Sequence, residues 1–479
     1  MKTGMIKRHL RFLWITILLT SFWACTACGK LANQIDGIIN RTSQKKVQFA
    51  IHIINADSGK TIYSHNPNRP MVPASNMKLI TAAAALHFLG PEFRYKTIVG
   101  LQDEALVIVG SGDPLLGDKV TDAKYGRKPN RIFDDIIAAL KKRNVSQIKD
   151  IIVDGTVFDD TRTHPSWPKS QLNRHYACQV SGLNFNSNCV EISAQNKDGQ
   201  LAITLEPKTS YVNITNKAAV TSKPPSTLWC ARKLGTNDLT LRGKCYKKAG
   251  PIYVAIERPA AFFGFLLAEN LGRAGINVQG RFIEKQTSLS KDFKTISLYT
   301  TPIADVLSRC NKDSFGLAAE ALLKTIAAKA SPKKKNGSWE LGRVAVTRYL
   351  ADLGVSPDEV YIDDASGLSA KNKLSPAAIT KVLFAVRKSK NWQLYKDSLA
   401  VGGQDGTIRR YFTEEKYKGK ILGKTGYINK VKSFSGWCNP GKRDTQGTSY
   451  IFSILTHNAN GKTREAINDI VKAVIDNDV

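Results

Sequence analysis

Apolar and polar positions alternate from Val47 to Ala56, the period of a β-strand. Asp57-Ser58-Gly59-Lys60 reads as a turn and Thr61 to Ser64 as the return strand of a hairpin. Pro73 then blocks backward extension of an alanine-rich apolar run, which predicts a buried helix headed by Ser75. From roughly Tyr95 to Ile296 the texture changes to short β-rich segments broken by Gly, Pro and Asn. Ala105 to Val109 and Ile151 to Val153 are the clearest of these strands. Helical spacing returns from about Ile303, over Leu317 to Ala328, Val344 to Leu353 and Ala377 to Val386. Tyr450 to Leu455 is a strand of the fully buried kind, and residues 464–477 form a last helix.

The first hairpin is too small to stand alone. The pattern therefore predicts an α/β (α+β) fold in which one domain is interrupted after its first helix. Residues 29–95 and 297–479 would form that discontinuous domain, and 96–296 a mostly β insertion. The alternative is a linear arrangement, with the β block as a separate binding module.

The helix headed by Ser75 carries the first candidate chemistry. Ser75 and Lys78 are three residues apart, so on a helix they share one face. A lysine there takes the serine's proton if burial or a neighbouring cation lowers its pKa. The bare spacing is common: Ser43/Lys46, Ser146/Lys149, Ser288/Lys291 and Ser331/Lys334 share it, in polar or strand-like surroundings. Only Ser75 heads a buried-type helix, whose N-terminus favours developing negative charge. A plain N-cap serine beside a solvated lysine is the structural alternative.

Composition narrows the classes. With 479 residues there is room for two or three domains. The net charge of +30 suits an anionic partner, but the basic residues are scattered. The clearest cluster, Lys333-Lys334-Lys335, sits in a Pro/Asn/Gly loop with no nucleic-acid-binding motif, so no nucleic-acid partner is expected. Lys2, Lys7, Arg8 and Arg11 precede a 13-residue apolar run, Phe12 to Ala24, and then small residues to Ala27. That is the form of an export signal, residues 1–28. Lipidation at Cys28 is a weaker alternative because the residues before it make a poor lipobox. Export to a periplasm or cell envelope leaves six cysteines, and Cys230 and Cys245, flanking a turn at Gly235-Thr236-Asn237-Asp238, are the best disulfide pair. Cys178 and Cys189 are a second guess. Nothing has zinc-ligand spacing, so no metal and no cofactor are expected.

Lys424-Thr425-Gly426 follows near the C-terminus. Lysine supplies charge, threonine a hydroxyl, and glycine close backbone approach, a set suited to a carboxylate. Ser-x-x-Lys followed by Lys-Thr-Gly marks penicillin-binding proteins and class A β-lactamases. The chain resembles one branch of these, the D-alanyl-D-alanine carboxypeptidase/endopeptidases of the penicillin-binding protein 4 type, serine peptidase family S13. The resemblance runs from about residue 45 to the end. It includes Val72 to Lys78, Gly110-Ser111-Gly112-Asp113-Pro114-Leu115, Asp363-Asp364-Ala365-Ser366-Gly367-Leu368-Ser369, Gly403 to Arg410, and Gly423 to Gly426.

The resemblance implies a transpeptidase-like domain, with Ser75 as acylated nucleophile, Lys78 as its base, and Lys424 and Thr425 holding the substrate carboxylate. The N–H groups of Ser75 and Tyr427 would form the oxyanion hole. Peptidoglycan peptides and β-lactam antibiotics are the implied partners, with peripheral association with membrane or wall. The middle motif departs from the family: Ser314-Phe315-Gly316 stands where Ser-x-Asn belongs. Ser314 would relay a proton to the leaving amine, or else cap the following helix. Gly316 lacks the amide expected to hold substrate and lysine, and Asn311 is poorly placed to replace it. A catalytically impaired wall-binding protein is thus the second reading. A β-lactamase is the third, without a recognisable deacylating glutamate motif.

Overall fold

Strands from both ends of the chain meet in one antiparallel sheet of six. Its order is Ala400–Val401, Ile421–Ile428, Val431–Cys438, Tyr450–His457, Gln48–Asn55, Thr61–His65. The computed structural model describes residues 29–331, 336–440 and 448–477. The expected export signal, Cys28 and the Lys333-Lys334-Lys335 run lie outside the described residues.

The N-terminal hairpin finds its missing neighbour in Tyr450–His457, with Ile51 opposite Ile454. Phe49, Ile51, Ile53, Phe434, Phe452 and Ile454 face a core closed by the helix at residues 29–39 and by Thr463–Asn477. Ala50, Ile54, Ile451 and Leu455 face the other core, with the helices Met77–Leu89, Gly316–Ala330 and Pro376–Lys388. A strand covered on both faces needs no polar alternation, which explains the unbroken apolar run at Tyr450 to Leu455.

A second sheet has the order Phe282–Glu284, Ile151–Asp154, Ala105–Gly110, Arg94–Gln102, Lys294–Pro302. Arg94–Gln102 and Lys294–Pro302 pair antiparallel, so the outgoing and returning chain run side by side. They straddle the positions 95/96 and 296/297 that the sequence suggests as boundaries. Two three-stranded sheets lie between them in sequence, one centred on Cys189–Lys197 and one on Asp238–Cys245. The stretch also holds the helices Arg131–Lys141 and Pro259–Arg273, which the β-rich reading omitted.

The expected Cys230–Cys245 clamp does not form. Strand register sets Cys230 opposite Leu241, while Cys245 lies further along, opposite Val220. Both are buried free thiols, as are Cys178 and Cys189. Among the described residues, no helix is long and apolar enough to cross a membrane, and no group of three or more His, Cys, Asp or Glu residues could hold a metal ion.

Candidate active site

Ser75 sits in a single 3-10 turn, Ala74–Asn76, that leads directly into the Met77–Leu89 helix. Ala74 has φ of +46°, a left-handed conformation that costs energy for any residue with a Cβ. The surroundings hold the turn in place. Ser433 Oγ donates to the Pro73 carbonyl at 2.7 Å. Asn76, fully buried, donates to the Lys424 carbonyl at 2.6 Å and accepts from Ser435 Oγ at 2.6 Å. Asn76 is therefore the pin between the two lysine motifs. Its role is not among the sequence expectations, although a polar residue entering so apolar a helix is itself a signal.

Gly367 and Gly426 press on the same turn. Gly367 has φ of +79°, and a methyl group there would lie 1.8 Å from the Ala74 carbonyl oxygen. A methyl group at Gly426 would lie 2.9 Å from both the Ser75 nitrogen and the Pro73 carbonyl oxygen. Only glycine permits either approach. The Gly426–Tyr427 backbone thus runs against the Ser75 N–H.

Lys78 is buried, and its Nζ lies 3.3 Å from Ser75 Oγ and 2.6 Å from the Ser366 carbonyl oxygen. Burial pushes its pKa down, opposed by the nearby Cys310, Glu320 and Asp364. Lys424 is also buried, and its pKa falls well below 10.5, first through burial and then through the charges of Lys78 and Arg464. Two ammonium groups in one desolvated site disfavour each other, so the site favours losing a proton from one of the two lysines. Lys424 Nζ donates to the Thr425 carbonyl, and Thr425 Oγ1 meets Thr407 Oγ1 at 3.1 Å. That contact joins the Asp405-Gly406-Thr407 motif to Lys-Thr-Gly. Tyr427 is 70% exposed beside them.

The Asp363 to Ser369 segment is a rigid bracket for Lys78. Asp364 accepts from the Gly367 and Ser369 N–H groups, Asn372 Nδ2 and the Trp167 indole. Buried Glu320 accepts from the Ala365 and Ser366 N–H groups at 3.1 and 2.8 Å and from the Trp339 indole at 2.7 Å. Burial raises the Glu320 pKa to about 7. The bracket orients the Ser366 carbonyl, and that carbonyl orients Lys78.

The middle motif is the loosest part. Ser314 has φ of +59°, and Lys78 gives its hydrogen bonds to Ser75 and Ser366, not to Ser314. Phe315, not Ser314, is the cap residue of the Gly316–Ala330 helix. Asn311 is buried and donates to Ser398 Oγ. At Gly316 a methyl group would lie 2.9 Å from the Tyr176 carbonyl oxygen. Tyr176 lies within residues 96–296, and its carbonyl oxygen takes up the space beside the Gly316 Cα. Gly316→Asn should therefore not speed acylation. It should lower thermal stability, by about 1–3 kcal/mol for an overpacked site. A gain in acylation rate of about tenfold or more would instead identify Gly316 as a lesion.

Comparison with known proteins points to one family. Residues 31–477 match the D-Ala-D-Ala carboxypeptidase 3 (S13) family. The D-alanyl-D-alanine carboxypeptidase of Actinomadura sp. (strain R39) is 26% identical over 468 residues, covering 92% of this chain and 84% of that protein. The D-alanyl-D-alanine carboxypeptidase DacB of Haemophilus influenzae is 22% identical, covering 86% of this chain and 87% of that one. The crystal structure of penicillin binding protein 4 (dacB) from Haemophilus influenzae superposes with a TM-score of 0.76 at 20% identity, covering 92% of this chain and 98% of that one. With the serine, the two lysines and their brackets assembled in one place, the chain belongs to the D-Ala-D-Ala carboxypeptidase 3 (S13) family.

Proposed function

We propose that this protein is a serine-type D-Ala-D-Ala carboxypeptidase and endopeptidase acting on peptidoglycan stem peptides. The observation that carries the reading is Lys78 Nζ, desolvated and 3.3 Å from Ser75 Oγ. Neutral Lys78 takes the Ser75 proton as Oγ attacks the carbonyl carbon between the two D-alanines. The oxyanion forms against the N–H groups of Ser75 and Tyr427. Collapse breaks the C–N bond, and the proton held by Lys78 goes to the departing D-alanine amine, with Ser314 as relay. Water then hydrolyses the ester on Ser75. Cleavage of a cross-bridge follows the same steps.

Lys424 and Thr425 would hold the substrate's terminal carboxylate. A bound carboxylate favours the charged form of Lys424, and a charged Lys424 favours the neutral form of Lys78. Substrate binding would thus prepare the base. Penicillin would acylate Ser75 as a slow dead-end substrate. The crystal structure of the Haemophilus influenzae penicillin binding protein 4 complexed with a β-lactam supports that expectation by likeness. Residues 29–95 and 297–479 would form the peptidase domain, with 96–296 inserted. The site of action would be the periplasm or cell envelope, reached through the N-terminal signal.

The test is intact-protein mass spectrometry after penicillin exposure, with the adduct mapped. One penicillin on Ser75, released slowly, is the expected result. Rapid turnover of the drug would mark a β-lactamase. No adduct on folded protein would favour the impaired wall-binding reading, which Gly316 alone supports.

A further inference from the structure

Arg464 stands against local preference. It lies in the first turn of the Thr463–Asn477 helix, where the macrodipole disfavours a cation. Among the described residues no carboxylate pairs with it. Its guanidinium instead donates to backbone carbonyls: Nη2 to Gly426 at 3.1 Å, and Nη1 and Nη2 to Ser433, each at 3.2 Å. Those two residues face each other across the strands Ile421–Ile428 and Val431–Cys438. Burial lowers the pKa of Arg464 to about 10, and its charge in turn helps depress Lys424 and Lys432.

The consequence lies in the peptide that joins Gly426 to Tyr427. In a trans peptide the C=O and the N–H point in opposite directions. Fixing the Gly426 carbonyl on Arg464 aims the Tyr427 N–H the other way. A charge-assisted bond to the carbonyl also polarises the amide, which makes its N–H a stronger donor. We propose that Arg464 is a positioning residue for acylation: it orients and polarises the Gly426–Tyr427 peptide, so that the Tyr427 N–H binds the developing oxyanion. The inference rests on the oxyanion-hole assignment given under the proposed function.

The effect belongs to the transition state, since a ground-state carbonyl gains little from a stronger donor. Wild-type protein, Arg464→Met and Arg464→Lys are compared for kcat/KM on an acyl-D-Ala ester and on its thionoester analogue. Sulfur accepts hydrogen bonds poorly, so a working oxyanion hole favours the oxygen ester. In Arg464→Met this oxygen-over-sulfur preference should fall about fivefold or more, with kcat rather than KM affected. Arg464→Lys keeps the charge without the fork and should fall between. It also serves as the variant to read if Arg464→Met does not fold. An unchanged oxygen-over-sulfur ratio in the variants, whatever their absolute rates, overturns the inference and leaves the serine assignment standing. A wild-type protein that turns over neither ester and takes no penicillin adduct overturns the site assignment and this inference with it.

Discussion

Ser75→Ala should give a folded protein that takes no covalent penicillin. The side chain removed is small and half-buried, and among the described residues its polar contact is the 3.3 Å approach of Lys78 Nζ. The turn around it is held by other groups: Ser433 on the Pro73 carbonyl, and Asn76 between Lys424 and Ser435. Deleting Oγ therefore leaves the scaffold intact, and the melting temperature should move by no more than about 2 °C, the scale of a substitution free of core or cap losses. Acylation loses its acceptor atom and should become undetectable by mass spectrometry. Hydrolysis of a D-Ala-D-Ala peptide should fall by at least about 10³-fold, leaving only what binding and the oxyanion hole supply. Lys424 and Thr425 remain, so reversible binding of the drug should persist within a few-fold. A penicillin adduct that survives on the alanine variant would place the nucleophile elsewhere and end the proposed mechanism.

The parts of this site that were legible in the sequence are those where spacing is local. Ser75 and Lys78 are one helical turn apart, and Lys424, Thr425 and Gly426 are consecutive. The central strands were legible because burial on both faces leaves an unbroken apolar run. What was not legible is long-range. Lys78 meets the Ser366 carbonyl across 288 residues, and Ser433 meets Pro73 across 360. No periodicity encodes such contacts. Arg464 was invisible for the same reason: it is the one arginine of an amphipathic helix, and its backbone partners lie 31 and 38 residues away.

Other misses have different causes. The Arg131–Lys141 helix buries Ile132, Phe133, Ile136 and Leu140 at clear helical spacing, so its signal is present in the sequence. Pro259–Arg273 buries Phe262, Phe263, Leu266, Leu267 and Leu271 with Ala260 and Ala261, and so broad an apolar face hides the period. The disulfide expectation treated two cysteines around a turn as facing each other. Register decides which residues face, and it pairs Cys230 with Leu241. Gly316 looked like a missing part from the sequence. In the structure a Cβ at that position would lie 2.9 Å from the Tyr176 carbonyl oxygen, closer than a side chain takes without a backbone shift.

Lys78→Met separates the base from the packing it provides. Methionine fills similar unbranched volume, so the helix Met77–Leu89 should keep its place. It cannot take a proton, and acylation by penicillin should slow by about 10³-fold, within the 10²–10⁴ range of a lost general base. The wild-type acylation rate should rise with pH through the Lys78 pKa, while the methionine variant's residual rate should lack that limb. Stability carries the opposite mark. Lys78 in the folded protein has its pKa below the ordinary 10.5, so over that interval the unfolded chain binds more protons. Wild-type stability then rises with pH between the folded value and 10.5, and the cost of burying the lysine is greatest below that window. The methionine variant has no such cost, although it leaves the Ser366 carbonyl without its donor. Its melting temperature relative to wild type should therefore be higher at about pH 6 than at about pH 9.5. A difference that does not change with pH would mean that Lys78 is not desolvated. An acylation rate within about threefold of wild type would mean that another group takes the proton from Ser75.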